Sequence, residues 1–373
     1  MATNCRFESH GVVIFKIRYI KFKKKAGVEM NNLKFTIFSD LHYKKGMYAA
    51  TVADLKTIFA RAEENGSEFV LHLGDLCNDY KGSPELVSAY LKNEQGLPVY
   101  GVYGNHELES SNSMEYVTPL LTNDETVVWG TEDGKLSPKT AYYYKDFGNF
   151  RFIFTDSNYS LTKDGEYEHN RTGSWGPPQE NEGANMLSDK QFAWLKSTLY
   201  SAAEKDMQCI VYSHAAFAES FSYSTDAEKV RALLNEVNSF KKGTVIAAIN
   251  GHWHANAHDI KDDILFFNIN SAKNGCWLPT QDPHYEEKHT YTHMDFDGEG
   301  NLQGTREVPL TELWMAKNTW FFDSPLSTNV TLTEDGEITI EGFDSGWMWN
   351  IIPAGPRVSE HRTPHISKVS HKL

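Results

Sequence analysis

The stretch LKFTIFSDLH, residues 33–42, is an apolar run of β type that ends in charged and polar side chains. The next segment, AATVADLKTIFARAEENG (49–66), carries apolar residues at helical spacing and ends in Asn-Gly, a typical helix C-terminus. A second apolar run, EFVLHLGD (68–75), follows directly. This order of strand, helix and strand predicts parallel strands that are covered by helices.

The chain repeats this pattern of apolar runs followed by polar residues. The runs PVYGVYGNH (98–106), QCIVYSHAAF (208–217) and TVIAAINGHWH (244–254) each carry histidine at or near their carboxyl ends. In open α/β sheets ligands bind beyond the carboxyl ends of the strands, so we expect these ends to converge on one site. From residue 258 onwards Asp and Gly separate short apolar runs, which predicts antiparallel hairpins.

The composition indicates a globular protein and argues against a nucleic-acid-binding surface. The chain has 373 residues, of which 40% are hydrophobic, and a formal net charge of -14. Binding to phosphate backbones relies on clustered Lys and Arg, which an acidic chain does not suggest. Nucleic acid is therefore not the expected partner, whereas a small anionic substrate is still allowed because a bound metal would dominate the local field. The oligomeric state is left open.

The cysteines and the N-terminal segment indicate the compartment. The four cysteines stand far apart without a CxxC pair: Cys5, Cys77, Cys209 and Cys276. This spacing suggests neither a zinc knuckle nor a disulfide framework. Residues 1–30 have an apolar centre that Lys16 and Arg18 interrupt, most of their charge follows this centre, and no small-residue cleavage site comes after it, unlike a signal peptide. No later run approaches the roughly 18 apolar residues of a membrane span. These features predict reduced thiols, a cytoplasmic location and no membrane contact.

The polar residues at the strand ends form a candidate metal-binding set. In chain order they are Asp40, His42, Asp75, Asn105, His106, His214, His252 and His254. Carboxylate and imidazole groups without thiolates favour Mn, Fe or Zn over Ca or Mg. Because the set is too large for one ion, it predicts a pair of metals with a shared carboxylate, a geometry suited to phosphoryl displacement.

The order of the motifs resembles that of the calcineurin-like binuclear metallophosphoesterases. That family carries DxH, GDxxxD, GNH followed by Glu or Asp, a lone His, and GHxH. This chain carries DLH (40–42), GDLCND (74–79), GNHE (104–107), His214 in SHAAF, and GHWH (251–254). The resemblance covers about residues 34–270. It implies a four-layer α-β-β-α sandwich of two mixed sheets, with a small β-rich C-terminal extension.

The resemblance also implies a role for each matching residue. The implied ligands are, for the first metal, Asp40, His42 and His254, and, for the second, Asn105, His214 and His252. Asp75 bridges the ions, and a hydroxide between them attacks phosphorus. His106 is the implied catalytic residue; it contacts the phosphate, as Asn105 does, or protonates the leaving oxygen. The implied ions are Mn, Fe or Zn, with Mn expected to support activity.

We predict three parts of the chain. Residues 1–30 are an N-terminal extension outside the fold, residues 31–310 form the metallophosphoesterase catalytic domain, and residues 311–373 form a β-rich C-terminal extension that ends in a loose polar tail. Residues 157–186 lack periodicity, which favours a binding loop. Arg171 in this loop and Lys273 are candidates for contact with a phosphate oxygen.

The GHWH motif raises a geometric expectation. Side chains alternate between the faces of an extended stretch. We therefore expect His252 and His254 to point the same way and to reach two neighbouring ions, while Trp253 points to the other face. Elsewhere, we expect His72 to lie in the core and His258 to be exposed or to lie behind the ligands.

Departures from the family pattern narrow the branch. The protein-phosphatase branch places Asp three residues after the bridging Asp, where it orients the catalytic His, but this chain has Asn78 there and Asp79 next. The orienting partner of His106 is therefore open. Tyr43 and Tyr80 stand where the protein-phosphatase branch carries Gly and Arg. The purple acid phosphatases lack the His of DxH, so His42 distinguishes this chain from them. The pattern most resembles the class III phosphodiesterase-like branch.

We expect a metal-dependent hydrolase that acts on a small phosphodiester or phosphomonoester. One alternative is a nuclease of the same superfamily, which activity on single-stranded DNA at moderate salt would support. The other is a non-catalytic metal-binding scaffold, which two bound metals without turnover would support. The sequence does not determine the substrate, the ester class or the native metals.

Overall fold

The computed structural model describes residues 32–44, 49–108, 112–169, 185–277, 290–297, 301–312, 319–348 and 360–372. The helices, in chain order, are α1 Val52–Asn65, α2 Pro84–Leu91, α3 Met114–Val117, α4 Asp189–Glu204 and α5 Ala227–Phe240. The strands are β1 Leu33–Phe38, β2 Val70–His72, β3 Val99–Gly101, β4 Val128–Trp129, β5 Tyr143–Phe147, β6 Phe150–Phe154, β7 Tyr159–Leu161, β8 Tyr167–His169, β9 Gln208–Ser213, β10 Val245–Asn250, β11 Ala257–Lys261, β12 Ile264–Asn268, β13 Asn274–Trp277, β14 Thr290–Phe296, β15 Leu302–Pro309, β16 Thr319–Phe321, β17 Thr328–Leu332, β18 Ile338–Gly342 and β19 Val369–His371.

Two mixed β-sheets form the centre of the fold. The first has the order β19-β18-β17-β1-β2-β3, in which β1, β2 and β3 are parallel and the three C-terminal strands are antiparallel. The second has the order β11-β12-β10-β9-β6-β5-β4, in which β6, β9, β10 and β12 are parallel. The parallel strands of each sheet therefore end at a common edge.

The two sheets pack face to face on an aromatic core. Phe152 in β6 contacts Phe35 in β1 and Phe69 next to β2, with ring-centroid distances of 5.1 and 5.6 Å. Strand β1 is buried on both faces from Phe35 onwards, because the second sheet covers one face and α1 covers the other. Helix α1 does so through Leu55 and Ile58, which lie on its apolar face.

Helices cover the outer face of each sheet. Helix α1 begins at a capping box between Thr51 and Asp54 and ends at Gly66, whose left-handed φ of 71° favours glycine. Helices α4 and α5 cover the second sheet through apolar residues such as Leu199 and Val230. The resulting order of helix, sheet, sheet and helix confirms the predicted four-layer α-β-β-α sandwich. Among the described helices, none has the length and apolarity that a membrane crossing requires.

Short antiparallel pairs complete the structure. The hairpins predicted after residue 258 correspond to β11–β12, β14–β15 and β17–β18. Strands β7 and β8 form a separate pair, as do β13 and β16. Strands β17 to β19 come after residue 310 and belong to the same sheet as β1. The predicted division of the chain after residues 30 and 310 stays a prediction.

The C-terminal residues do not form the predicted loose tail. Val369–His371 pair with β18 as an edge strand. Upstream of that strand, Asn256 Nδ2 donates to Ser367 Oγ at 2.6 Å, and the N–H of Ser367 donates to Asn256 Oδ1 at 3.0 Å. The prediction is wrong because polar composition does not by itself imply disorder: an edge strand tolerates polar side chains on its solvent face.

Candidate metal centre

The candidate ligands lie beyond the carboxyl ends of β1, β2, β3, β9 and β10, where the backbone turns sharply. Left-handed φ angles occur at Asp40 (51°), His42 (51°), Asp75 (52°), His252 (70°) and His254 (48°). Each such residue costs on the order of 1–3 kcal/mol unless its surroundings enforce the conformation, and such strain clusters at functional sites. Its concentration at these positions marks the strand ends as a candidate site.

The prediction of an extended GHWH segment is wrong. Strand β10 ends at Asn250, and Gly251 then passes so close to the first sheet that a Cβ would overlap Ser39 Oγ. His252 and His254 follow with left-handed φ, so turns rather than strand alternation set their directions. Both imidazoles nevertheless belong to groups of side chains that could hold a metal.

Asp40 offers one carboxylate oxygen to the site. Its Oδ2 accepts hydrogen bonds from the N–H of His252 at 3.0 Å and from the Ser39 hydroxyl. Its Oδ1 is buried, has no hydrogen-bond partner among the described residues, and lies 3.3 Å from His254 Nε2. Burial opposes ionisation, but attraction to His254 and His214 outweighs it and lowers the pKa of Asp40 to about 2. A buried anionic oxygen among imidazole nitrogens fits a cation site.

The first group of candidate ligands consists of Asp40, His42 and His254. The Nε2 atoms of the two histidines are 3.0 Å apart, and His42 Nε2 lies 3.8 Å from Asp40 Oδ1. Burial lowers the pKa of His42 to about 3, which keeps a lone pair on the neutral ring. These three side chains can therefore present ligand atoms to one ion.

The second group contains Asp75, Asn105, His214 and His252. His214 Nε2 lies 3.0 Å from Asn105 Oδ1, 3.1 Å from His252 Nδ1 and 3.2 Å from Asp75 Oδ2. Burial opposes protonation of His214, but the carboxylates of Asp75 and Asp40 outweigh it and raise its pKa to about 10. The negative field that favours a proton on this ring also favours a metal cation.

Asp75 lies between the two groups. Its Oδ2 is 3.2 Å from His214 Nε2 and 3.7 Å from His42 Nε2, while its Oδ1 accepts the N–H of His106 at 2.8 Å. The close approach requires glycine at position 104, where a Cβ would overlap Asp75 Oδ1. One carboxylate can thus contact ions in both groups, which is what a bridging ligand must do.

Glu107 holds together the loops that carry Asp75 and Asn105. Its Oε2 accepts the N–H groups of Asp75 (2.9 Å) and Gly104 (2.5 Å), and its Oε1 accepts the Leu76 N–H (2.9 Å) and the Tyr80 hydroxyl (3.0 Å). Burial and repulsion by Asp75 raise the pKa of Glu107 to about 7. Sequence reasoning assigned no role to this residue, although its place in GNHE was the available signal.

His106 forms a third group of possible metal ligands with His42 and Asp75. Its Nε2 is 4.0 Å from Asp75 Oδ2, and its ring meets that of His42 edge to face at 4.8 Å. Its Nδ1 faces Asn78 Nδ2 at 2.9 Å. Asp79, the other candidate partner, accepts the N–H of Gly82 instead. In the structure the residue next to the His106 ring nitrogen is therefore Asn78 rather than Asp79.

The remaining sequence candidates lie in other surroundings. Lys273 is buried and pairs with Asp54 Oδ1 at 3.1 Å, so its predicted contact with phosphate is wrong. His72 is a core residue that stands edge-on to Tyr90, as predicted. His258 is exposed on β11, also as predicted. Arg171 lies outside the described residues.

Comparisons with known proteins identify the family. The sequence profile of the calcineurin-like phosphoesterases matches residues 33–256, more than half of the chain. No curated protein sequence matches the chain. Among solved structures, a dimetal phosphatase from Danio rerio is similar, with 14% identity over 91% of this chain and 98% of that chain and a TM-score of 0.54. GAP50, the anchor in the inner membrane complex of Plasmodium, is similar with 12% identity over 92% and 88% of the two chains and a TM-score of 0.44. The protein belongs to the calcineurin-like phosphoesterase family.

Proposed function

We propose that the protein hydrolyses phosphoester bonds with two transition-metal ions. The first ion would be held by Asp40, His42 and His254, the second by Asn105, His214 and His252, and both by Asp75. The proposal rests on the buried Asp40 Oδ1, which has no hydrogen-bond partner within the part of the chain that the structure describes and lies 3.3 Å from His254 Nε2, within a donor set shared through Asp75. Bound ions would supply the Lewis acidity that activates water and offsets negative charge on the phosphoryl oxygens.

His106 is the proposed catalytic residue. Its Nε2 borders both ligand groups, so a phosphoryl group bound across them would come within reach of this nitrogen. From there an imidazole N–H can donate a hydrogen bond to the substrate phosphate and a proton to the leaving oxygen, the work of a general acid. We propose that Asn105, whose amide shares this edge, also contacts the phosphate.

The proposed substrate is a small phosphodiester or phosphomonoester. Family membership supports the phosphoester class, and the net charge of -14 argues against a surface built for nucleic acid. Imidazole and carboxylate donors without thiolates favour Mn, Fe or Zn, with Mn proposed to support activity. The cytoplasmic location stays a prediction.

Metal analysis and phosphoester hydrolysis on one sample test the proposal. We expect two metals per chain and turnover of bis-p-nitrophenyl phosphate or p-nitrophenyl phosphate with added Mn. His106→Gln should keep both metals and lose about 10²–10⁴-fold in turnover, the range for general acid–base catalysis. His258→Gln is the matched control, because this histidine is exposed on β11, and it should behave as the wild type.

Each competing function has its own outcome in this experiment. Metal-loaded Asp75→Asn that retains wild-type turnover contradicts the proposed bridging role. Two bound metals without turnover on either ester support a non-catalytic scaffold. Hydrolysis of single-stranded DNA that survives moderate salt supports the nuclease.

A further inference from the structure

The C-terminal segment binds the turn that carries His254. This segment consists of residues 361–367, which precede β19, and we call it the C-terminal strap. Asn256 lies two residues after His254 and is buried. Its N–H donates to the His361 carbonyl at 2.6 Å, and its own carbonyl lies 3.1 Å from His361 Nδ1. Its amide side chain donates to Ser367 Oγ and accepts the Ser367 N–H, so every hydrogen-bonding group of Asn256 contacts the strap.

A second set of contacts joins the strap to the backbone of Asp40. The buried Asn270 donates from Nδ2 to the Thr363 carbonyl at 2.8 Å, and its Oδ1 accepts the N–H of Ser271 at 2.9 Å. The Ser271 hydroxyl in turn donates to the Asp40 carbonyl at 2.7 Å. The strap is therefore connected to two of the three proposed ligands of the first ion, Asp40 and His254.

The environment of His254 explains why this support matters. Its φ of 48° is left-handed, a conformation that a residue with a side chain keeps only where the surroundings enforce it. A hydrogen bond at the second ring nitrogen usually orients a metal-binding histidine. The Nδ1 of His254 is buried and has no such partner within the described part of the chain. The direction of this imidazole therefore depends on the backbone turn.

The two ends of the turn are held by different contacts. At its start, the N–H of His252 donates to Asp40 Oδ2 at 3.0 Å. At its end, Asn256 is bound to the strap by the contacts above. Loosening Asn256 should therefore displace His254 more than His252.

We propose that Asn256 is a positioning residue through which the C-terminal strap holds His254 in place for the first ion. The inference rests on the proposed function, because that function assigns His254 to the first ion. Two proposed ligands of the second ion, Asn105 and His214, follow β3 and β9 and lie outside this turn. Loss of the Asn256 side chain should therefore weaken binding of the first ion more than binding of the second.

Two variants of the full-length protein remove the contact from opposite sides. Asn256→Ala removes both side-chain bonds to Ser367. Ser367→Ala removes one of them from a position 111 residues away in the chain and leaves the candidate centre itself unchanged. Ser370→Ala is the matched control, because it makes the same substitution at an exposed site of β19, where the hydroxyl pairs with Thr339 Oγ at 3.0 Å.

Calorimetric titration of metal-free protein with Mn²⁺ measures the affinity for each ion without a turnover assay. His254→Gln lacks a proposed ligand of the first ion and so identifies its binding step. In Asn256→Ala we expect this step to weaken about tenfold, within the range for outer contacts of a metal site, while the other step changes by less than about threefold. Ser367→Ala should shift the same step in the same direction by less, and Ser370→Ala should match the wild type.

Urea unfolding of the metal-free variants separates positioning from a general loss of stability. A folded Asn256→Ala variant with wild-type affinity for both ions overturns the inference, and so does equal weakening of both ions. An effect of Ser370→Ala as large as that of Ser367→Ala also overturns it. If Asn256→Ala does not fold, Ser367→Ala decides: a weaker first ion supports the inference, and wild-type affinities overturn it.

The two proposals can fail separately. A wild type that binds two metals but hydrolyses no phosphoester refutes the proposed hydrolysis, whereas the measured affinities still decide the role of Asn256. A wild type that hydrolyses phosphoesters while Asn256→Ala keeps both affinities refutes only that role. A wild type that binds no metal refutes both proposals.

Discussion

Replacing Glu107 by Gln should loosen the two loops that carry Asp75 and Asn105. The carboxylate of Glu107 is fully buried and accepts four hydrogen bonds, two at each oxygen, from three backbone N–H groups and the Tyr80 hydroxyl. Glutamine has a single acceptor oxygen. Its amide nitrogen must therefore face two of the four donors.

The size of the effect depends on which oxygen the amide nitrogen replaces. At the Oε2 position the nitrogen opposes the N–H groups of Asp75 and Gly104. At the Oε1 position it opposes the Leu76 N–H, while the Tyr80 hydroxyl can rotate to accept. The second orientation is cheaper and leaves one buried donor unsatisfied, at about 1–3 kcal/mol. The raised pKa of Glu107 shows that the fold disfavours the charge that glutamine removes, so we add nothing for the lost charge and expect the free energy of unfolding to fall by about 1–3 kcal/mol.

Urea unfolding of chelator-treated protein measures this loss. The assay is run above the raised pKa of about 7, where Glu107 is ionised in the wild type. Glu85→Gln is the matched control, because Glu85 is also buried and accepts a hydrogen bond from the Tyr43 hydroxyl at 2.7 Å, which an amide oxygen can also accept. A Glu107→Gln variant whose metal-free form stays within about 0.5 kcal/mol of the metal-free wild type would refute the reasoning.

Three further perturbations test other features of the structure. Gly104→Ala should reduce the metal content below two per chain in elemental analysis, because the added Cβ would overlap the carboxylate of Asp75. Gly304→Ala is the control and should keep the wild-type metal content, because the space around Gly304 is open. Lys273→Met leaves the charge of Asp54 buried without its ion-pair partner, so the free energy of unfolding in urea should fall by about 3–5 kcal/mol while KM stays unchanged. A raised KM at wild-type stability would instead support a contact between Lys273 and the phosphate. For Asp124, burial opposes ionisation, but its lysine and hydroxyl partners outweigh it and lower the pKa below 3.8. The ionised carboxylate of Asp124 therefore stabilises the fold at pH values above the ordinary pKa of aspartate, and this stabilisation is lost as the pH falls through the lowered pKa. Asp124→Asn should melt below the wild type at neutral pH, and the difference should vanish in acid; a pH-independent gap would count against the assignment.

Local patterns in the sequence indicated parallel strands covered by helices, and the resemblance of the ordered motifs to the calcineurin-like family implied the four-layer sandwich and the candidate ligands. Alternating apolar runs and helical periodicity are properties of neighbouring residues, so they indicate parallel strands without any coordinates. Parallel strands of one sheet end at a common edge, which places the residues after β1 and β2, Asp40 and Asp75, at one site. His252 follows β10 of the second sheet, so the common edge does not group it with them; the resemblance of the motifs to the family did.

Only the tertiary structure decided which other residues face this centre and how the backbone reaches it. Asn78 contacts His106 while its neighbour Asp79 turns away to Gly82, a difference that no periodicity predicts. Lys273 pairs with Asp54, which lies 219 residues away in the chain, and the polar strand β19 pairs with β18 at the edge of the first sheet. Contacts across the whole fold determine the left-handed turns, the pairing of distant segments and the strand register. Local sequence patterns therefore do not predict them.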